Sequence, residues 1–466
     1  MAFDSMPFFL FVTLAFAVHW CCGHRVALQN LVLLVASLVF YGWADWRMPA
    51  LLLGVTSVAY LYGLVRPRFA AFPRLDRAAL IVVCLTLFGA LGSFKYADFF
   101  IAQFAAVFGC APVGALRIIL PVGISFYVFM AAGYVFDVWR GKVEPERNAL
   151  TFLAFSTFFP QLLAGPIGRA DSLLPQYRGV RRFDYADAIM GSRMVLWGLF
   201  KKVVIADNCA VAADALLANG GNGLAVWCGM FFFTLQIYFD FSGYSEMAVG
   251  VGRWFGIRLM RNFAYPYFAQ NIAEFWRRWH ISLTTWFRDY LYIPLGGSRC
   301  SKAKQVRNTF VVFLVSGFWH GANWTYVLWG AFHAVAFLPL LLRGTNHRQK
   351  TSDPAGFSWG IPLTFLLALV GWTFFKAPDV GMAFTRLGSM FNLLCFSALA
   401  KVPDEWKVAL VGSLVGFALE WVNRREESAF ARLPPWRVMR WAIYYLTAVL
   451  ILCYQPASQA FVYFKF

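Results

Sequence analysis

Long apolar runs separated by short basic loops set the pattern of this chain. Apolar stretches near 7–23, 26–44, 48–64, 78–94, 113–139, 358–376, 405–422 and 441–457 predict helices. Each is close to the ~20 residues that cross a bilayer. In the 113–139 stretch Pro121 predicts a kink. The run at 151–165 is shorter and broken by Pro160 and Gly165, which predicts a re-entrant segment. The run at 186–206 carries Arg193, Lys201 and Lys202. Charges in such a run face the bundle or a wet cavity, so Asp240 and Glu246 in the following run are their expected partners.

The run at 310–342 is apolar throughout, holds no Lys, Arg, Asp or Glu, and is too long for one simple span. Basic loops flank it on both sides, which predicts a hairpin with its turn near Gly321 to Trp324. It carries His320 near that turn and His333 further on. An ionisable side chain in hydrocarbon costs roughly 2.5 kcal/mol or more, so it marks function by default. Either histidine also suits a side chain bonded to a backbone carbonyl inside a helix interface, His333 more so.

Composition agrees with this pattern. The chain has 466 residues, 60% hydrophobic and 14% charged. Soluble domains are about 45–50% apolar and about 25% charged. The fold class is therefore an all-α polytopic membrane protein, read as one integral-membrane domain of about nine to eleven spans plus re-entrant segments. The first apolar run has no basic segment before it and no small-residue cleavage site after it, so it reads as a retained span. Nine cysteines form no metal-binding spacing, so neither a disulfide framework nor a metal site is expected.

The net charge of +18 would suggest nucleic acid on a soluble protein. Here it follows from loops at 65–77, 140–147, 168–182, 253–307, 343–350 and 424–440, because cytoplasmic loops collect Lys and Arg. No nucleic-acid partner is expected, and membrane lipid is. With these loops inside, both termini fall on the outer side.

Residues 253–307 hold ten basic residues and two acids. Within them Trp276, Trp279, Leu283, Trp286 and Tyr290 recur at steps of three and four, which predicts an amphipathic helix in the membrane interface. His280 lies beside this stripe. Arg277, Arg278 and Arg299 suit either anionic lipid or a vestibule for a phosphate-bearing donor.

Three stretches carry a family resemblance. They are Glu274 to Leu283 (EFWRRWHISL), Arg288 to Gly297 (RDYLYIPLGG) and Phe318 to Ala322 (FWHGA). They resemble the membrane-bound O-acyltransferase family. Pro160 to Ile167, Phe239 to Ser245 and the final Phe461-Val462-Tyr463-Phe464-Lys465-Phe466 resemble its bacterial polysaccharide-acetylating branch. Lys376 stands where arginine is expected, and Ala264 where a polar residue is expected.

The resemblance implies a helical ring around a central pore, with His320 at its waist. It implies acyl transfer from a cytoplasmic thioester, acetyl-CoA, across the inner membrane. The acceptor would be an exopolysaccharide, alginate first, reached through a periplasmic SGNH-type partner within a polysaccharide secretion complex. A histidine suits the general base, and Asn323 or the amides of the Gly321 turn are candidate oxyanion donors. His280 is expected to assist at the cytoplasmic mouth. The C-terminal motif is similar to the end of a small companion peptide in teichoic-acid D-alanylation. Tyr463 is therefore either an interfacial anchor or a covalent acyl carrier. Cellulose, peptidoglycan and teichoic acid stay open as acceptors. A flippase or a non-catalytic scaffold remain the other classes, although no inverted repeat is visible.

Overall fold

The computed structural model describes residues 1–109, 120–218, 222–346, 358–392, 404–456 and 461–462. Among these, every regular element is helical. The chain groups into two compact units, one of residues 1–191 with 248–260, the other of 192–247 with 261–466.

The first unit holds α1 (Met6–Cys21), α2 (Val26–Gly42), α3 (Met48–Phe69), α4 (Pro73–Lys95), α5 (Ala97–Phe108), α6 (Ile124–Trp139), α7 (Ala149–Thr157), α8 (Phe159–Leu162) and α9 (Ala170–Arg178). Its core is aromatic, with Phe3, Phe8, Phe11, Phe40 and Phe159 in mutual ring contact. The opposite side of α1 exposes Met6, Leu10, Leu14 and Val18 at helical spacing. Such an outward apolar stripe suits lipid rather than water.

The 113–139 expectation needs correction. Pro121 does not kink a helix; it precedes one, and α6 starts at Ile124. Gly123 takes φ 78°, and a Cβ there would overlap the Leu162 carbonyl. Only glycine serves that entry, because it combines a left-handed backbone with close approach. Helix α5 was not expected, and residues 110–119 lie outside the described set. The broken 151–165 segment is as expected, since α7 and α8 are short and part at Phe158.

Helix α10 (Tyr185–Leu199) runs through a wide π-helical turn, Phe200–Ala206, into α11 (Asp207–Ala218). The long α12 (Gly223–Trp254) follows. Then come α13 (Ile272–Arg278), α14 (Ile281–Phe287), α15 (Lys302–His320), α16 (Trp324–Leu342), α17 (Gly360–Lys376), α18 (Val380–Phe391), α19 (Glu405–Val422) and α20 (Arg437–Cys453). Helix α18 is also additional to the sequence expectation. Helices α3, α4, α12 and α16 are long and apolar enough to cross a bilayer by length and composition, and five shorter ones are predominantly apolar.

The expected ion pairs form for the two lysines, while Arg193 donates to the Tyr444 hydroxyl and the Ala431 carbonyl. Lys201 meets Glu246 at 2.6 Å, and Lys202 meets Asp240 at 3.0 Å and Asp207 at 2.8 Å. The 310–342 run is the expected hairpin, with α15 and α16 turning at Gly321 to Asn323. A Cβ on Gly317 would overlap the Tyr326 carbonyl, and one on Gly330 the Phe313 carbonyl. These two glycines let the helices touch backbone to backbone, the usual use of small residues between membrane helices.

Candidate active site

The site is built on the end of α15. His320 is its last residue, followed by Gly321 in extended backbone, so the imidazole sits where the helix stops. It is buried at 4% exposure. Its ring is walled edge-on by Trp319, Trp329 and Phe375 at 5.0–5.2 Å between centroids.

His280 comes to the same place from a different element. Trp276, Trp279, Leu283, Trp286 and Tyr290 do not form one interface helix. The chain breaks at His280, which takes φ 43°, and splits the stripe into α13 and α14. All five side chains turn inward and are buried. Two backbone bonds clamp the break, from Ala264 N–H to the Arg278 carbonyl and from Ile281 N–H to the Asn262 carbonyl, both 2.9 Å. Asn262 secures it further by accepting from the Ser282 amide and hydroxyl. Position 264 contributes its backbone to this clamp, so alanine there leaves the clamp intact. A non-glycine residue with positive φ is strained and persists where its surroundings over-determine it.

Both histidines line one small cavity of about 60 Å³, with Trp276, Trp279, Thr284 and Ser316. A water needs ~10–15 Å³ on this measure, so the space fits an acetyl-sized group and not a nucleotide. Trp319 touches both imidazoles, at 5.9 Å from His280 and 5.0 Å from His320. Burial pushes the His280 imidazole down to about 3. It stays neutral at neutral pH and is a weak proton acceptor, which suits orientation better than base catalysis.

His333 is buried too, but it does not line this cavity. Asn323 caps α16 by accepting from the Thr325 amide and donates to the Pro378 carbonyl. Both its polar groups are thus engaged in shaping the turn.

The three arginines are dispersed in role. Arg278 pairs with Glu274, Arg277 donates to the Asn346 carbonyl, and Arg299 is exposed in the loop before α15. Lys376, where an arginine was expected, pairs with Asp214 at 2.7 Å. Tyr463 lies outside the described residues, while Phe461 and Val462 before it are buried. Sequence reasoning passed over Ser316 and Thr284; Ser316 lies four residues before His320, one helical turn away, and that spacing was its signal.

Comparison with known proteins bears on the family. The membrane-bound O-acyltransferase family profile matches residues 142–377. A probable alginate O-acetylase of Pseudomonas putida is 42% identical, over 84% of this chain and 80% of that protein. The peptidoglycan O-acetyltransferase of Helicobacter pylori is 35% identical, over 78% and 74%. A teichoic acid D-alanyltransferase of Streptococcus thermophilus is 31% identical, over 57% and 70%. With the family profile spanning half of it and such relatives along most of its length, this chain belongs to the membrane-bound O-acyltransferase family and is a multi-pass membrane O-acyltransferase.

Proposed function

We propose that this enzyme moves an acetyl group from a cytoplasmic thioester, acetyl-CoA, to an exopolysaccharide outside the inner membrane. Alginate is the acceptor we favour, because the probable alginate O-acetylases match at 40–42% identity over 84% of the chain. A periplasmic SGNH-type partner would complete delivery to the polymer. The observation that carries the reading is the cavity shared by His320 and His280. An aromatic-walled space of that size holds an acyl group, and its low-dielectric walls strengthen electrostatic stabilisation of the transition state.

In this mechanism His320 is the general base. It takes the proton of the attacking hydroxyl as that oxygen adds to the thioester carbonyl. The tetrahedral intermediate collapses, the carbon–sulfur bond breaks, and the thiolate leaves with the proton returned from His320. Tyr463 is the attacking hydroxyl, which makes the first product a tyrosyl acetyl ester. A hydroxyl of the partner then takes the acetyl group and the phenol regains its proton. Splitting the transfer lets the donor stay inside and the acceptor outside. His280 orients the acyl group, and the exposed Arg299 attracts the phosphates of the donor, while Arg277 and Arg278 are held by the Asn346 carbonyl and Glu274.

Burial of Phe461 and Val462 supports the carrier role, because the residues just before Tyr463 are held in the second unit, where Phe241 contacts both Phe461 and His280. The test is thioester-dependent acetyl transfer by the purified enzyme with its partner. The reading expects transfer in the wild type and loss in His320→Ala at equal protein level. Acetylation that proceeds without an acyl thioester would favour a flippase or a scaffold instead.

A further inference from the structure

The mechanism above makes no use of the buried charges that join α11 and α12. Lys202, Asp207 and Asp240 are 5%, 4% and 1% exposed. Ions held this far from solvent must be paired and hydrogen-bonded to be tolerated. The lysine lies in the wide turn at 200–206, and such π-helical turns often mark functional positions. Lys202 meets one oxygen of Asp240 at 3.0 Å. The other oxygen accepts the backbone N–H of Val462 at 2.7 Å. Beside it the Phe461 ring seats against Tyr244 at 4.9 Å and Phe241 at 5.8 Å. Phe241 in turn stands edge-on to His280 at 4.8 Å. Eight residues earlier in sequence the same C-terminal stretch is held again, where Asn208 donates to the Tyr454 carbonyl at 3.0 Å.

We propose that Asp240 is a positioning residue whose carboxylate, braced by Lys202, docks the C-terminal segment of this same chain through the Val462 amide. The grip is on backbone, so it sets where residue 462 sits without reading its side chain. Phe461 supplies the side-chain part of the lock. Tyr454 and Val462 are both held, and Phe241 contacts the Phe461 ring on one side and His280 on the other. The catalytic consequence of the docking rests on the carrier role of Tyr463, but the docking itself does not.

Hydrogen–deuterium exchange of the full-length protein, read on the peptide containing Phe461 and Val462, tests this. A hydrogen bond to a charged group contributes enough that its loss should speed exchange at that amide about 10–100-fold. Asp240→Ala and Phe461→Ala should both do so while α1 to α9 exchange as in the wild type. If Asp240→Ala loosens the whole chain, Phe461→Ala, which leaves the charge cluster intact, decides the matter. Unchanged exchange at Val462 in a folded Phe461→Ala protein, or in a folded Asp240→Ala protein, would overturn the docking, whatever the acetylation. Faster exchange with lost acetylation supports both docking and carrier. Faster exchange with full acetylation keeps the docking and removes the carrier role from Tyr463.

Discussion

His320 and His333 belong to one hairpin, yet one borders a cavity and the other is enclosed by rings. Both are buried, at 4% and 0% exposure. Both lie against Trp329, at 5.0 and 4.9 Å. His333 sits in the middle of α16 and is enclosed by Trp276, Phe313, Phe332 and Trp372 as well. Neither of its ring nitrogens has a hydrogen bond among the described residues, so the expected carbonyl partner is replaced by aromatic edges and faces. His320 sits at a helix end and borders open volume. An imidazole at membrane depth is therefore not enough to define a site. A void in which a second molecule's atoms can stand is what distinguishes the two.

The strongest way to sharpen the comparison is to remove the proposed carrier and leave the cavity alone. Tyr463→Phe should reduce polymer acetylation to background without lowering membrane level. Mass spectrometry of the wild-type C-terminal peptide should show an added acetyl group when the partner is absent. Full activity in the Phe variant would leave Tyr463 an anchor.

A second variant should break both sides together. Gly317→Ala forces a methyl group into the Tyr326 carbonyl, so α15 and α16 must separate. Overpacking of this kind costs about 1–3 kcal/mol, and the level of folded protein in membranes should fall with activity. A normal level with normal activity would show that the hairpin can yield.

The third concerns pH. The buried His280 imidazole is held at about 3, against ~6.5 in an unfolded chain. Between these values the unfolded chain binds more protons, so this contribution is whole above about pH 6.5 and lost as pH falls toward 3. Its slope reaches ~1.4 kcal/mol per pH unit. His280→Gln should flatten the fall in thermal stability on acidification, and should also weaken donor use. An unaltered acid slope would place His280 in water.

The smallest effect belongs to the exposed Arg299. Arg299→Glu should raise the apparent requirement for acetyl-CoA a few-fold, as expected of a screened surface charge, and leave the maximal rate alone. An unchanged concentration dependence would remove Arg299 from the donor vestibule.

Much of this was legible in the chain itself. Hydropathy placed α1 to α4, α17, α19 and α20, because a lipid-facing helix must be apolar outside as well as in. Flanking charge placed the hairpin turn, and charge rarity pointed to Asp240 and Glu246 as partners for the cations of the preceding run, although the structure alone assigns Glu246 to Lys201 and Asp240 to Lys202. The break at His280 was not legible. A stripe at steps of three and four reads as one helix, and the clamp that interrupts it comes from Asn262 and Ala264, well upstream in the sequence. Nor was α6's start, since Pro121 signals a kink and a helix entry alike, and the Leu162 carbonyl that demands Gly123 is distant in the chain. Resemblance singled out His320 and His280 as candidates, and the cavity they share distinguishes their setting from that of His333.

The most direct measurement is single-turnover transfer of labelled acetyl from acetyl-CoA, comparing His320→Ala with His333→Phe in equal amounts of folded, purified enzyme. Loss of a positioned base costs about 10²–10⁴-fold, so His320→Ala should fall by that factor. His333→Phe keeps the aromatic packing and should retain the wild-type rate. Equal rates for His320→Ala and the wild type, or an equal loss in both variants, would contradict the assignment of the chemistry to the cavity.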